Sequence, residues 1–120
     1  SAMGIEVVFP PKADPALKGA CISSPEQVYS LKAPDPYKDG LMPRVLNCID
    51  YMKIKTNFPV CVTDTQGPLN IALSIAGMEN LFTWFYTNPQ EVQYLMDFST
   101  KILIGFAIIF LNLETCSEVE

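Results

Sequence analysis

The residues best suited to binding chemistry lie in one short polar segment, Asp64-Thr65-Gln66-Gly67. The Asp64 carboxylate can hold a cationic or hydrogen-bonding group, and the Gln66 amide can both donate and accept. Backbone N–H groups near Gly67 could hold a carboxylate, because a helix is expected to begin at Pro68. We predict a substrate-binding site at these four residues. The alternative is that Asp64 caps the following helix or fixes the loop.

Several other kinds of chemistry are excluded by residue type. The 120 residues include no histidine, which removes Ser-His-Asp and Cys-His catalysis and histidine metal ligands. The four cysteines are separated by 27, 13 and 55 positions, so no C-x-x-C pair of zinc ligands exists. Paired carboxylates and a glycine-rich phosphate loop are also missing. We therefore expect no metal site and no cofactor, and reduced thiols in a cytoplasmic protein.

The charge distribution argues against a nucleic-acid partner. Eight basic and 13 acidic residues give a net charge of −5, and the acids concentrate in the second half of the chain. A chain held by phosphate contacts would need the opposite balance. Apolar residues make up 49% of the sequence, which favours a folded domain over disorder.

The N-terminal part is rich in proline and predicts short elements. The alternating segment Gly4–Phe9 is typical of a short strand, and Ala20–Ile22 is its candidate partner. Ser24, followed by Pro25 and Gln27, predicts a capped helix that must end before Pro34. A clear amphipathic helix is predicted from Pro43 to Lys55, with apolar residues every three or four positions.

The residue pattern in the second part of the chain predicts a helix, a strand, a loop and a helix in that order. The apolar run Pro59–Thr63 does not alternate and predicts a strand buried on both faces. Helices are predicted over Leu69–Ala76, with Gly77 as the stop, then over Glu79–Tyr86, and over Pro89–Leu111. The fold class is therefore α/β and mostly helical.

This pattern divides the chain into four segments. Residues 1–3 look like a cloning remnant, 4–42 form a loop-rich segment, 43–113 form an αβα unit, and 114–120 form an acidic tail. Residues 102–113 are almost all apolar, but a membrane span needs about 20 such residues, so we expect no membrane. We expect a helix buried on most sides and a homo-oligomer whose interface includes Phe106 and Phe110.

The order and spacing of several short motifs resemble the uroporphyrinogen decarboxylase family, which also holds corrinoid-dependent methyltransferases. The resemblance runs from about Gly4 to about Phe110. Its carriers are Gly4–Val7, Ser24–Glu26, Pro34–Gly40, Pro59–Val60, Asp64–Pro68, Ala72, Gly77–Glu79 and Asn88–Val92.

The resemblance implies a fragment of a (β/α)8 TIM-type barrel, a fold that takes about 250 residues. It implies a tetrapyrrole or corrinoid ligand in the parent protein, acting in carboxylate decarboxylation or methyl transfer. The family's catalytic aspartate and the zinc ligands of its methyltransferases have no counterpart in this sequence. The resemblance places a tyrosine of the decarboxylases at Ser74, and this departure argues against uroporphyrinogen decarboxylation itself. The D-T-Q-G-P motif resembles more closely the uncharacterised or methyltransferase-like branch of the family. The alternative is a non-catalytic segment that folds as a homo-oligomeric interaction module.

One aromatic cluster has two interpretations under this resemblance. Phe82, Trp84, Phe85 and Tyr86 follow one another closely and could face a flat tetrapyrrole. A cluster of this kind more often belongs to a core or a subunit interface.

Overall fold

The computed structural model describes residues 1–56 and 66–115, with side chains as far as residue 110. The described elements are mostly helical. They are strands β1 (Val7–Val8) and β2 (Ala16–Leu17), a 3₁₀ helix (Pro25–Ser30), and helices α1 (Met42–Lys55), α2 (Pro68–Ala76), α3 (Met78–Thr87) and α4 (Pro89–Thr115). The predicted strand Pro59–Thr63, Asp64, Thr65 and residues 116–120 of the acidic tail lie outside the described residues.

The N-terminal strands form a two-residue antiparallel ladder, with Val7 opposite Leu17. The prediction that Ala20–Ile22 would be the partner strand is therefore wrong. The backbone N–H groups of Cys21 and Ile22 instead donate to the carbonyl oxygen of Ile75, over 2.7 and 3.1 Å. That carbonyl lies in the last turn of α2 and has no partner within the helix, so the segment satisfies a helix end.

The short helix after Ser24 begins where the sequence predicts. The Oε1 atom of Gln27 accepts from the backbone N–H groups of Ser23 and Ser24, over 2.8 and 3.2 Å. The element is a 3₁₀ helix, and the N–H of Leu31 donates to the carbonyl of Val28, three residues back. Only six residues separate the cap from the extended Leu31, which suits the tighter helix.

The three C-terminal helices and the 3₁₀ helix enclose the main core. Helix α2 ends at Ala76. Gly77 follows with a φ of 81°, in the region that favours glycine, and α3 begins directly after it. Helix α4 packs against α2, α3 and the 3₁₀ helix. The buried residues that form this core are Ile22, Val28, Ala72, Ile75, Ala76, Leu81, Trp84, Val92 and Leu95.

Helix α1 confirms the amphipathic prediction but has a small buried face. Ile49 is buried, Val45 and Leu46 are half-buried, and Met52 is 42% exposed. No described element makes an extensive contact with α1. Its apolar side therefore remains partly open in this chain.

Helix α4 changes character along its length of about 40 Å. Its first half buries Val92, Leu95 and Ser99, whereas Ile104 and Ile108 in its second half are 53% and 51% exposed. The expectation of burial on most sides is therefore wrong for this second half. Phe110 is buried within the chain itself, so it is not a surface residue as the predicted interface required.

The length and composition of Pro89–Phe110 would also allow a membrane crossing, with a mean hydropathy of 1.4. Core helices of soluble proteins share these properties. The first half of α4 packs against three other helices, as a core helix does.

Residues 1–3 take part in the folded structure. The hydroxyl of Ser1 accepts from the backbone N–H of Leu41 over 3.2 Å, and Met3 packs against the main core. Gly40, with a φ of 61°, lies so close to this segment that a Cβ there would be 2.5 Å from the backbone nitrogen of Ala2. The N-terminal residues thus contact the start of α1.

Candidate functional site

Two of the four predicted site residues, Gln66 and Gly67, lead directly into α2. Gln66 is exposed, and Gly67 occupies the N-cap position with extended backbone angles. The carbonyl of Gly67 accepts from the N–H of Ile71 over 3.1 Å, which starts the helix. Asp64 and Thr65 lie outside the described residues, so the choice between ligand and cap for Asp64 stays open.

The start of α2 offers backbone N–H groups to a ligand that accepts hydrogen bonds. Gly67 has no side chain that could cap the helix, and Pro68 at the first position has no N–H. The remaining N–H groups of the first turn need an acceptor from outside the helix. A carboxylate placed there would also meet the positive end of the helix dipole.

A cavity of about 350 Å³ lies beside Gln66. One wall comes from α2, through Ile71, Ser74 and Ile75, and Ile102 of α4 adds to it. The opposite wall comes from the hairpin, with residues of both strands, and from the N-terminal residues 1–3. The cavity is therefore lined mostly by aliphatic side chains, with polar side chains from Ser1, Gln66 and Ser74, which is the usual composition of a small-ligand site.

Ser74 is a cavity residue that the sequence marked only as a departure from a family pattern. Its hydroxyl donates to the carbonyl of Asn70 over 2.9 Å and remains half-buried. Ile71 and Ile75 were missed as lining residues altogether. The signal was present in the helical spacing of positions 71, 74 and 75, which places all three on one face.

The aromatic cluster does not line this cavity. Trp84 is 6% exposed and belongs to the main core, which agrees with the core interpretation for that residue. Phe82, Phe85 and Tyr86 are exposed on α3, and the rings of the two phenylalanines are 6.2 Å apart. Nothing in this arrangement places them against a ligand bound at Gln66.

Electrostatic features near the cavity are few. Burial raises the pKa of the Cys21 thiol, and its Sγ donates to the carbonyl of Met3 over 3.3 Å. Glu6 and Lys18 form an ion pair of 3.1 Å on the exposed side of the hairpin. Among residues 1–56 and 66–110, no three acidic or cysteine side chains come together as a metal site would require.

Comparison with known proteins gives the family. Residues 1–114 match the family described as uroporphyrinogen decarboxylase (URO-D). The chain belongs to the uroporphyrinogen decarboxylase family. No curated protein matches it. A solved structure described as a methyltransferase from Methanosarcina mazei superposes with a TM-score of 0.79 at 20% sequence identity.

The superposition also shows how much of the methyltransferase this URO-D chain corresponds to. The superposition covers 92% of this chain but only 33% of the methyltransferase, so the chain spans about a third of that protein. At this identity the likeness shows a shared fold. The match of residues 1–114 confirms the resemblance read from the motifs and includes residues 1–3.

Proposed function

We propose that this chain is part of a URO-D-type barrel and forms one side of its ligand site. The observation that carries the proposal is the cavity where Gln66 and the start of α2 meet Ser74. In such barrels the loops that follow the strands line the active site. The predicted strand at 59–63 would place Gln66 in the loop after it. Its ligand would be a large macrocycle bearing carboxylates, a tetrapyrrole or a corrinoid, of which this cavity of about 350 Å³ could hold one carboxylate-bearing edge.

Methyl transfer is favoured over decarboxylation as the reaction of the parent protein. The decarboxylases place a tyrosine at the position of Ser74, and a serine hydroxyl cannot replace a phenol in reach or acidity. The hydroxyl of Ser74 is directed to its own helix, where it donates to Asn70. The solved structure that superposes on this chain is described as a methyltransferase, which supports the same branch. We expect the chain alone to be inactive in either reaction.

Ligand binding can be tested without catalysis. Equilibrium dialysis of the chain against hydroxocobalamin and against uroporphyrin compares the two ligand classes directly. We expect the corrinoid to bind more tightly. The Gln66→Ala variant should weaken that binding about fivefold, since one hydrogen bond contributes about 1 kcal/mol.

The matched control is Gln93→Ala. Gln93 is also exposed, but it lies on α4 and its side chain is bonded to Asp97 over 3.1 Å. Equal loss in both variants, or binding of neither macrocycle, would contradict a site at Gln66. Tighter binding of uroporphyrin would reverse the preference for methyl transfer.

We propose self-association as a second property of this polypeptide. The chain exposes 8450 Å² of surface, whereas a compact monomer of its 13.3 kDa would expose about 6450 Å². Among the described residues, sixteen large apolar or aromatic side chains are exposed and only twelve apolar ones are buried. Light scattering at micromolar concentration tests this proposal, and a folded monomer there would contradict it.

A further inference from the structure

The N-terminal hairpin, residues 5–18, is attached to the rest of the chain mainly through its two ends. Within the hairpin the strands are paired with each other, and the N–H of Lys18 donates to the carbonyl of Glu6 over 2.9 Å. No hydrogen bond or ion pair joins residues 5–18 to the described helices. Ile5 is the one buried side chain of this segment, and no described helix makes an extensive contact with either strand. The hairpin is therefore held in its place by few interactions.

A fixed frame lies directly outside both ends of the hairpin. Met3 packs against the main core, and the Sγ of Cys21 donates to the carbonyl of Met3 over 3.3 Å. The backbone N–H of Cys21 also donates to the carbonyl of Ile75 at the end of α2 over 2.7 Å. The two ends are thus tied to each other and to α2 before the hairpin begins.

A glycine separates each end of the hairpin from this frame. Gly4 and Gly19 have φ values of 82° and 83°, and a Cβ at either position would meet nothing within 4 Å. Continuing the register of Val7 opposite Leu17 places the two glycines next to each other across the hairpin. Glycine is therefore favoured there by the backbone angle and not by lack of space. Two such residues at the ends of an element can act as a hinge, because hinges absorb changes in φ and ψ at a few positions.

The hairpin has one face toward the cavity and one face toward the outside. Ile5, Val7 and Leu17 line the cavity, since alternate residues of a strand and directly opposite residues of a ladder share a face. Glu6 and Lys18 form their ion pair on the other face, with side chains that are 65% and 68% exposed. This pattern is that of a cover with an apolar inner side.

The inner face of the hairpin is not packed against the opposite wall of the cavity. Leu17 lines the cavity but is 42% exposed, and about 350 Å³ of space lies between the hairpin and the α2 residues Ile71 and Ser74. This space is bounded by described residues of the chain, so it does not depend on what covers the outer face. A ligand held there would gain apolar contacts if the hairpin moved inward, and this difference in affinity would favour the closed position.

We propose that residues 5–18 form a lid that turns on Gly4 and Gly19 and closes over a ligand bound beside Gln66. The ligand is the macrocycle of the proposed function, on which this inference rests. Seven residues lead from the base of the hairpin to its tip, so they reach no more than about 23 Å, and a turn of about 20° would move the tip by about 8 Å. A turn of that size keeps φ positive at both glycines, so an alanine at either position would oppose the closed lid.

The distance from the tip of the lid to the helices measures its position directly. In a chain with its four cysteines replaced by serine, Ala13→Cys and Tyr86→Cys place one spin label on the exposed tip and one on the exposed side of α3. Serine at position 21 keeps a donor for the carbonyl of Met3. Pulsed electron paramagnetic resonance gives the distribution of distances between the labels. Hydroxocobalamin should narrow this distribution and shift its mean by up to about 8 Å.

Substitution in the hinge gives an independent measurement. Gly19→Ala places an L-residue at positive φ, which displaces the lid from the cavity. The label distances should change without any ligand, and hydroxocobalamin should bind about five- to thirtyfold more weakly and dissociate faster. The matched control is Gly105→Ala, because Gly105 is also exposed with free space at its Cβ position but lies within helix α4. That control should leave the distances and the binding unchanged.

The outcomes separate the lid from the ligand site. Movement of the tip on addition of hydroxocobalamin, together with both effects of Gly19→Ala, supports the proposal. Hydroxocobalamin that binds without moving the tip, or that binds the Gly19→Ala chain as tightly as the parent, overturns the lid and leaves the proposed site standing. Binding of neither hydroxocobalamin nor uroporphyrin contradicts the proposed ligand. The hinge is then decided by the distances measured without ligand, and an unchanged distribution in the Gly19→Ala chain overturns it.

Discussion

Ser99 offers a sharp test of the packing between α4 and the rest of the core. Its side chain is fully buried, and its hydroxyl has no hydrogen-bond partner among residues 1–56 and 66–110. A buried hydroxyl without a partner costs about 1–3 kcal/mol, because it has given up its bonds to water. Replacing Ser99 by alanine removes that cost and leaves the helix backbone in place.

The size of the effect can be worked out in parts. Alanine adds about 0.5 kcal/mol through its higher helix propensity, and the lost contacts of one oxygen atom cost a few tenths. We therefore expect Ser99→Ala to raise the free energy of unfolding by about 1–3 kcal/mol. For a domain of this size each kcal/mol corresponds to about 4 °C in the melting temperature.

The assay is urea unfolding followed by circular dichroism, with the slope m unchanged between variants. The matched control is Thr100→Ala, one residue along the same helix. Thr100 donates its hydroxyl to the carbonyl of Met96 over 2.8 Å, so its removal loses a bond and gains propensity. That control should stay within about 0.5 kcal/mol of the parent. A neutral or destabilising Ser99→Ala would show that the hydroxyl is paired in solution.

Two further predictions concern the N-terminal segment. Gly40→Ala should lower the free energy of unfolding by about 1–2 kcal/mol, since alanine is strained at positive φ and its Cβ would meet Ala2. The loss should be smaller in a chain without residues 1–3, and an equal loss in both backgrounds would contradict that contact. Alkylation by iodoacetamide should be slower at Cys21 than at Cys48, because burial raises the pKa of the Cys21 thiol and Cys48 is exposed. The difference between the two alkylation rates should become smaller as the pH rises toward alkaline values. Peptide mapping by mass spectrometry measures both rates.

The helices could be predicted closely from the sequence because their signals are local. Pro43, Pro68 and Pro89 lie at or next to the starts of α1, α2 and α4, and Gly77 separates α2 from α3. Proline at a first helical position and glycine after a last one act through their own backbone angles. Such signals do not depend on the rest of the chain.

Pairing and exposure could not be predicted in the same way, because they depend on distant residues. The Ala20–Ile22 segment has the residue types of a strand, yet its N–H groups bond to Ile75, more than fifty positions away. Likewise Ile104 and Phe110 belong to one apolar run, but one is 53% exposed and the other is buried. At the site, Gln66 could be predicted because it lies in a polar loop between two predicted elements. Ser74 and Ile75 line the same cavity only because the helix turns both of them toward it.

The geometry of α4 makes the proposed ligand binding and the proposed self-association independent of each other. Ile102 lines the cavity beside Gln66, and successive residues of a helix are turned by about 100°. Ile104 and Ile108 therefore point about 160° and 120° away from Ile102, on the other side of the helix. Association through the exposed side of α4, at Ile104 and Ile108, would leave the cavity open, so Ile104→Glu should weaken association without changing the binding of hydroxocobalamin. We therefore expect association and ligand binding to be separable, because they would use two faces of one helix.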